Sequence, residues 1–435
     1  MVAVAALTCA GKDPAADVPG RGPNVLLVTI ETLRADHVSA YGYGRQTTPF
    51  LDSLAAEGLL FENAHATSSW TLPSLTSLLT SAYTSEHGVG SNGPMAGTTL
   101  ALPEHLALLP ELLSARGYRT YGVTASLQTT EKMGYARGFD RYSNLGSVEC
   151  QSVSAQVEAW ATELHQEGEW FLWLHLFDPH GPYHPREPGL SEFWSPERER
   201  RTELESALSQ QLFNRRDELG EDDLAYLEAL YDSEIRHADD CLAAIYGTLP
   251  QAEELMLVVT SDHGEEFMER GRLLHAQTLF DESIRIPLIV RPPGGEEGRS
   301  VASPVSLIDV TPTILAAVGA EVPATLRGRA LLPQADRETR GRSVYAELLT
   351  RSDLRSVSDG RWKLIRENGR SLLFDLEEDP GESVDRAGDR PEDLARLQAA
   401  LDRFEEASSG YTRRGAEITR SAEELEALRA LGYVD

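Results

Sequence analysis

Residues 24–37 read NVLLVTIETLRADH, and the order of residue types in this stretch decides the fold. The run NVLLVTI (24–30) is apolar almost without a break, as expected of a strand buried on both faces of a parallel sheet. It gives way at once to polar residues, the first of them Glu31. The same texture returns at YRTYGVTA (118–125), EWFLWLHLF (169–177), AEELMLVVT (252–260) and IPLIVRPP (286–293). Helical spacing fills the intervals, notably TPFLDSLAAEGLLF (48–61), with Gly58 near its end, and residues 222–249. Strands alternating with helices predict an α/β fold, a doubly wound and mostly parallel sheet. The charged stretch 186–222 reads as a surface insertion able to roof a site.

After about residue 335 the texture changes. RSVYAELL, LRSVSDG, RWKLIRE and RSLLFDL read as four short strands joined by Asp-Gly and Asn-Gly turns, a small antiparallel sheet. RPEDLARLQAALDRFEEA (390–407) is a helix with proline at its start. The expected organisation is a signal remnant and linker over 1–22, the main α/β domain over 23–335, and a C-terminal α+β subdomain over 336–435.

The 435-residue chain has ordinary globular composition, 41% hydrophobic and 25% charged. Its formal net charge of −29 argues against a nucleic-acid partner, because phosphate backbones need clustered Lys and Arg. An anionic substrate would need a local metal or cation to hold it against the field of the whole protein. The three cysteines, Cys9, Cys150 and Cys241, have no zinc-binding spacing, and Cys150 and Cys241 permit a disulfide without setting one. MVAVAALTCAGKD resembles the end of a bacterial lipoprotein signal, with Cys9 as the lipidated residue, although no basic segment precedes it. An exported protein, periplasmic or anchored to a membrane by lipid at Cys9, is therefore expected. No stretch reaches the ~18 apolar residues of a membrane span.

Chemistry-bearing residues follow three of the strands. Glu31 ends the first, Asp178 and His180 in LHLFDPHGPYHP end the third, and Asp262 and His263 in VVTSDHGEEF end the fourth. In an open parallel sheet these ends lie along one edge, where such folds bind ligands. One such cluster alone reads as a helix cap, whereas three on one edge point to a metal site. SSWTLPSLTSLLTS (68–81) adds Thr71 and Pro73 at a helix start, where free N–H groups suit an anion and where Thr71 also suits an N-cap.

NVLLVTIETLRADHVSAYGYGRQTTPFLDSLAAEGLLFENAHATSSWTLPS, DPHGPY, TSDHGEEF, LLHAQTLFDESIRIPLIV, DVTPTIL, LRGRAL and LFDLEEDPGE together resemble the sulfatase family of the alkaline phosphatase superfamily, from residue 24 to about 435. The family signature is Cys/Ser-x-Pro-Ser-Arg, whose first residue becomes a catalytic aldehyde, formylglycine. Here the frame is Thr71-Leu72-Pro73-Ser74-Leu75, Glu31 stands at a usual aspartate, and the lysine common after Asp262-His263 is missing.

Glu31, Thr71, Asp262 and His263 are similar to the metal set of phosphoethanolamine transferases and lipoteichoic acid synthases. The resemblance implies one divalent ion (Ca, Mg, Mn or Zn) on those residues, Thr71 as nucleophile, and no formylglycine. It further implies His180 and His275 at the anion or leaving group, with His184 a weaker candidate. A formylglycine hydrate has a second hydroxyl to expel sulfate, whereas a threonine ester must be cleaved by water at its central atom. The expected function is a metal-dependent hydrolase or transferase of anionic esters, phosphoric before sulfuric. A sulfuric ester hydrolase without formylglycine, and a non-catalytic relative that binds anionic glycans, remain as alternatives.

Overall fold

The computed structural model describes residues 22–166, 168–332, 341–350, 353–410 and 415–433. The expected lipid-anchor residue Cys9 and the expected boundary at 335 lie outside them. The central sheet has eight strands, in the spatial order Arg299–Val301, Leu59–Phe61, Leu288–Arg291, Met256–Ser261, Val25–Ile30, Trp170–Leu176, Arg119–Thr124 and Arg141–Asn144. The expected mostly parallel sheet is present. Val25–Ile30 lies at its centre, parallel to Trp170–Leu176 on one side and to Met256–Ser261 on the other.

Register is what matters for function. Ile30 sits beside Leu176 and beside Ser261, so the residues that follow these three strands leave the sheet at one level. Every residue of the three strands is buried, which explains their unbroken apolar runs. Side chains alternate between two cores. Val25, Leu27, Phe171 and Trp173 face one, and Leu26, Val28, Leu172 and Leu174 face the other.

Three segments differ from expectation. The run 48–61 is not one helix: the helix is Pro49–Ala56, and Leu59–Phe61 is a strand of the main sheet. Gly58 makes the turn, where a Cβ would come within 2.5 Å of the Val290 carbonyl oxygen. Three apolar residues are too few for periodicity to separate strand from helix. The strand Leu288–Arg291 runs antiparallel to both its neighbours. In 252–260, Ala252–Glu254 form a 3₁₀ turn and the strand is Met256–Ser261.

The long helix Glu221–Thr248 matches its pattern, and a disulfide joins its Cys241 to Cys150 at the start of the helix Cys150–Ala159. The stretch 186–222 carries two short helices, Gly189–Phe193 and Ser209–Arg215. Val344–Leu349, Asp353–Ser358, Trp362–Glu367 and Arg370–Asp375 form an antiparallel meander. The helix Pro391–Ser408 covers it with Leu397, Leu401 and Phe404 packed among Val357, Trp362, Leu364 and Leu373. The chain then returns to the main domain. Glu417–Thr419 pairs with Thr98–Leu100, and the helix Ala422–Ala430 follows. Among the described residues no helix is long and apolar enough to cross a membrane.

Candidate active site

The first link is Glu31, whose N–H extends the parallel ladder by donating to Leu176 O at 3.0 Å. Its carboxylate is 1% exposed and faces the first turn of the helix Thr71–Thr80. Trp70, not Thr71, holds the N-cap position, so the threonine hydroxyl is not used as a cap. It donates instead to Glu31 Oε1 at 2.8 Å and lies 3.3 Å from His263 Nε2.

Asp262 uses one oxygen on the backbone. Its Oδ1 accepts the N–H groups of Thr32 (3.1 Å) and His263 (2.9 Å), while buried Oδ2 has no hydrogen-bond partner. His263 Nδ1–H donates to Gly264 O at 2.8 Å, so Nε2 carries the lone pair that faces Thr71. His180 is held in the same manner by Gly181 O at 2.6 Å, and its buried Nε2 has no partner. His275 Nδ1–H donates to Glu265 Oε1 at 2.9 Å and leaves Nε2 equally without a partner. The His275 ring centre is 4.7 Å from that of His263 and 5.0 Å from that of His180. Glu31, Thr71, Asp262 and His263 thus form one buried chain of contacts, with His180 and His275 beside it.

Two expected participants lie elsewhere. Asp178 caps the helix Cys150–Ala159, with Oδ2 accepting the Cys150 N–H at 2.8 Å and Oδ1 3.6 Å from Arg186. The half-buried His184 instead pairs Nδ1 with the Ser206 hydroxyl at 2.8 Å.

Three residues in the cluster escape the sequence patterns. His175 stands inside the apolar strand Trp170–Leu176, with Nδ1 2.9 Å from Thr29 Oγ1 and Nε2 3.2 Å from Glu31 Oε2. An imidazole in an otherwise apolar strand was the available signal. Glu265, the first glutamate of DHGEEF, accepts from His275 and from the Tyr183 hydroxyl at 3.0 Å. Tyr433 reaches in from the far end of the chain, and its hydroxyl lies 2.9 Å from Thr71 Oγ1.

Burial pushes Asp262 well above the ordinary carboxylate range, and the neighbouring charge of Glu31 adds to the effect. Burial acts the same way on Glu31, but the bond from His175 and the charges of His180 and His175 hold it below its ordinary value. Burial lowers His263 strongly, helped by His275, and lowers His180 as well. Burial also opposes the charged form of His275, yet the charge and hydrogen bond of Glu265 prevail and raise it.

One atom each of Glu31, His175 and Asp262 lies within 4.8 Å of the others, all three residues are buried, and these side chains could hold a metal ion. Asp262 Oδ2 has no hydrogen-bond partner, and Glu31 Oε2 and His175 Nε2 have only each other, at 3.2 Å. Two buried carboxylates converging with one imidazole are a donor set that suits a divalent cation. The residues fit such an ion.

The family model "Sulfatase" matches residues 23–320. The chain belongs to the sulfatase family. A second model, "N-sulphoglucosamine sulphohydrolase, C-terminal", matches residues 271–406. Among sulfatase relatives, Arylsulfatase K of Bos taurus is 25% identical, covering 92% of this chain and 86% of its own. The Ulvan-active sulfatase of Formosa agariphila is 24% identical over 87% of this chain and 80% of its own. Among solved structures, the phosphonate monoester hydrolase of Agrobacterium radiobacter superposes with a TM-score of 0.70 at 21% identity, covering 92% of this chain and 100% of that one. That likeness establishes the shared fold.

Proposed function

We propose that this sulfatase-family protein is a metal-dependent hydrolase of anionic esters, with Thr71 as nucleophile and phosphoric esters as its preferred class. One observation carries the reading: the Thr71 hydroxyl, uncapped and buried, donates to Glu31 and faces the lone pair of His263. A divalent ion on Glu31 and Asp262, with His175 or with Thr71 and His263, would supply Lewis acidity to the ester oxygens and ease ionisation of nearby hydroxyls.

This chain's own groups account for the protons. Thr71 loses its proton to Glu31 or His263 as its oxygen bonds to phosphorus, and the bond from phosphorus to the leaving oxygen breaks. His275, whose charged form the Glu265 carboxylate favours, gives that oxygen a proton from Nε2. In the second half, neutral His275 takes a proton from water as the water oxygen attacks phosphorus. The phosphorus–Thr71 bond breaks and the proton held by Glu31 or His263 returns to Thr71. His180 Nε2, a lone pair beside these groups, orients the donor groups of the substrate or product.

Threonine at the nucleophile position, with a single hydroxyl, supports phosphorus over sulfur, and the phosphonate monoester hydrolase among the fold neighbours agrees with that choice. The arylsulfatase relatives favour the second reading, a sulfuric ester hydrolase working without formylglycine. Export is proposed with either reading, supported by the Cys150–Cys241 disulfide. The deciding experiment is metal analysis of the purified protein, then parallel assay on aryl phosphate, phosphonate monoester and aryl sulfate. Phosphorus esters cleaved faster by at least about tenfold support the proposal, and the reverse order replaces it with the second reading.

A further inference from the structure

The helix Ala422–Ala430 has a capped start and an unusual end. Ser421 accepts the Glu424 N–H at 3.0 Å, and the Glu424 carboxylate accepts the Ser421 N–H at 2.6 Å, a capping box. At the other end Gly432 adopts φ +95, with its N–H donated to Arg429 O (2.9 Å), while the Tyr433 N–H donates to Leu428 O (3.1 Å). This pair of bonds is a Schellman motif, and its accompanying apolar contact brings Tyr433 and Leu428 into the same core. The chain therefore doubles back at Gly432 and drives Tyr433 inward.

Glycine is required there twice over. Its φ is left-handed, and a Cβ would lie 2.6 Å from Ser209 Cβ and 2.7 Å from Leu274 Cδ1. Leu274 adjoins His275, so this close approach fixes where the Tyr433 ring lands. The ring is 2% exposed, its centre 5.0 Å from His275, 6.0 Å from His180 and 6.3 Å from Trp70.

The hydroxyl ends 2.9 Å from Thr71 Oγ1, with the Gln128 side chain against it. Three side chains lie around Thr71 Oγ1: Glu31 accepts its proton, and His263 turns an Nε2 lone pair toward it at 3.3 Å, so neither can donate to it. With the Thr71 proton directed at Glu31, the third contact requires Tyr433 to be the donor. A cavity of ≈340 Å³ lies alongside, between Leu72, Gln128 and Met133 on one side and Ile418 and Leu428 on the other. The C-terminal segment is thus one wall of a cavity whose other wall includes Leu72 and Gln128, the chain neighbour of Thr71 and the side chain against the Tyr433 hydroxyl.

Resting on the function proposed above, we propose that Tyr433 is a catalytic residue delivered by the C-terminal segment. Its O–H aligns the Thr71 oxygen in the free protein and turns to an unesterified oxygen of the bound anion during reaction. It supplies a neutral donor to a site whose other groups at Thr71 are acceptors, the arrangement that stabilises charge developing on an oxyanion.

The test uses the full-length, metal-loaded protein with Tyr433→Phe, which keeps the ring and the Schellman contact and removes only the hydroxyl. On an aryl phosphate, kcat should fall about 100-fold, the scale of one lost oxyanion donor. The melting temperature should stay within a few degrees, and inorganic phosphate should bind about tenfold more weakly by calorimetry. Gly432→Ala, which displaces the ring, should lose a similar factor in kcat. Unchanged kcat and unchanged phosphate affinity in Tyr433→Phe would overturn the proposal and leave a packing role. A fall in KM with kcat kept or raised would also overturn it, because the tyrosine would then be an obstruction. Loss in Gly432→Ala without loss in Tyr433→Phe would overturn it in favour of the segment's position alone. If the wild type cleaves aryl sulfate and not phosphate, the phosphoester reading falls, and Tyr433 is judged by the same kcat comparison on sulfate. If it cleaves neither, equal affinity of both proteins for inorganic phosphate would overturn the proposal.

Discussion

Two pairs of carboxylates among the described residues are finished in opposite ways. Asp281 of the main domain and Glu382 of the C-terminal subdomain meet at Lys363, whose Nζ lies 2.6 Å from one and 2.9 Å from the other. The lysine is fully buried, and although burial opposes its charge, the two carboxylates raise its pKa and keep it protonated. Glu31 and Asp262 have no such side chain between them. They face His175, the lone pairs of His180 and His263, and each other; Asp262 Oδ2 has no hydrogen-bond partner, and Glu31 Oε2 has only His175 Nε2 at 3.2 Å. The first pair carries its own cation and clasps two parts of the fold. The second, with His175, could hold one from solution.

The largest expected difference between the regions is in turnover. Thr71→Ala should reduce phosphoester hydrolysis by about 10³-fold or more, because a covalent nucleophile is lost. Its melting temperature should fall by only a few degrees, since the hydroxyl caps no helix and its loss removes just the bonds to Glu31 and Tyr433. Lys363→Met should do the reverse, costing about 3–5 kcal/mol in denaturant unfolding by stranding the buried Glu382 and the partly buried Asp281, with the folded fraction still active. A Lys363→Met protein of wild-type stability would dissolve the contrast.

A smaller effect sharpens which imidazole completes the cation site. His175→Ala should weaken divalent metal binding by about 10–100-fold in calorimetric titration, whether His175 binds the ion or orients Glu31. Undiminished affinity would return the ligand set to Glu31, Thr71, Asp262 and His263. The smallest effect has opposite signs in the two regions. In chelator, Asp262→Asn should stabilise the protein by about 1 kcal/mol, since it removes a carboxylate that burial and Glu31 oppose. Asp281→Asn should destabilise it by a comparable amount or more, since it removes a partner of Lys363. Equal signs in urea unfolding would mean that the two clusters are not different in kind.

Most of the fold was legible because buried parallel strands announce themselves. NVLLVTI, EWFLWLHLF and ELMLVVT carry unbroken apolar runs, and the polar residues just after them converge because the three strands pair in register. Gly58 hid a boundary, since a three-residue strand after a helix has no period of its own. His175 was hidden by its setting, an apolar strand in which one imidazole reads as core. Asp178 misled for the reason that short polar residues after strands so often do: it caps a helix. Tyr433 lay furthest from legibility. A Schellman turn fixes only the direction of the chain after Gly432, and nothing local says that 362 residues separate that tyrosine from the threonine it meets.

The most direct test catches the bond itself. Wild-type protein loaded with its metal and turning over an aryl phosphate should be quenched in acid, digested, and examined by mass spectrometry. A phosphoryl group on the peptide containing Thr71, absent from Thr71→Ala treated identically, is the expected result. Steady turnover with no adduct at Thr71, matched by undiminished turnover in Thr71→Ala, would contradict the threonine nucleophile.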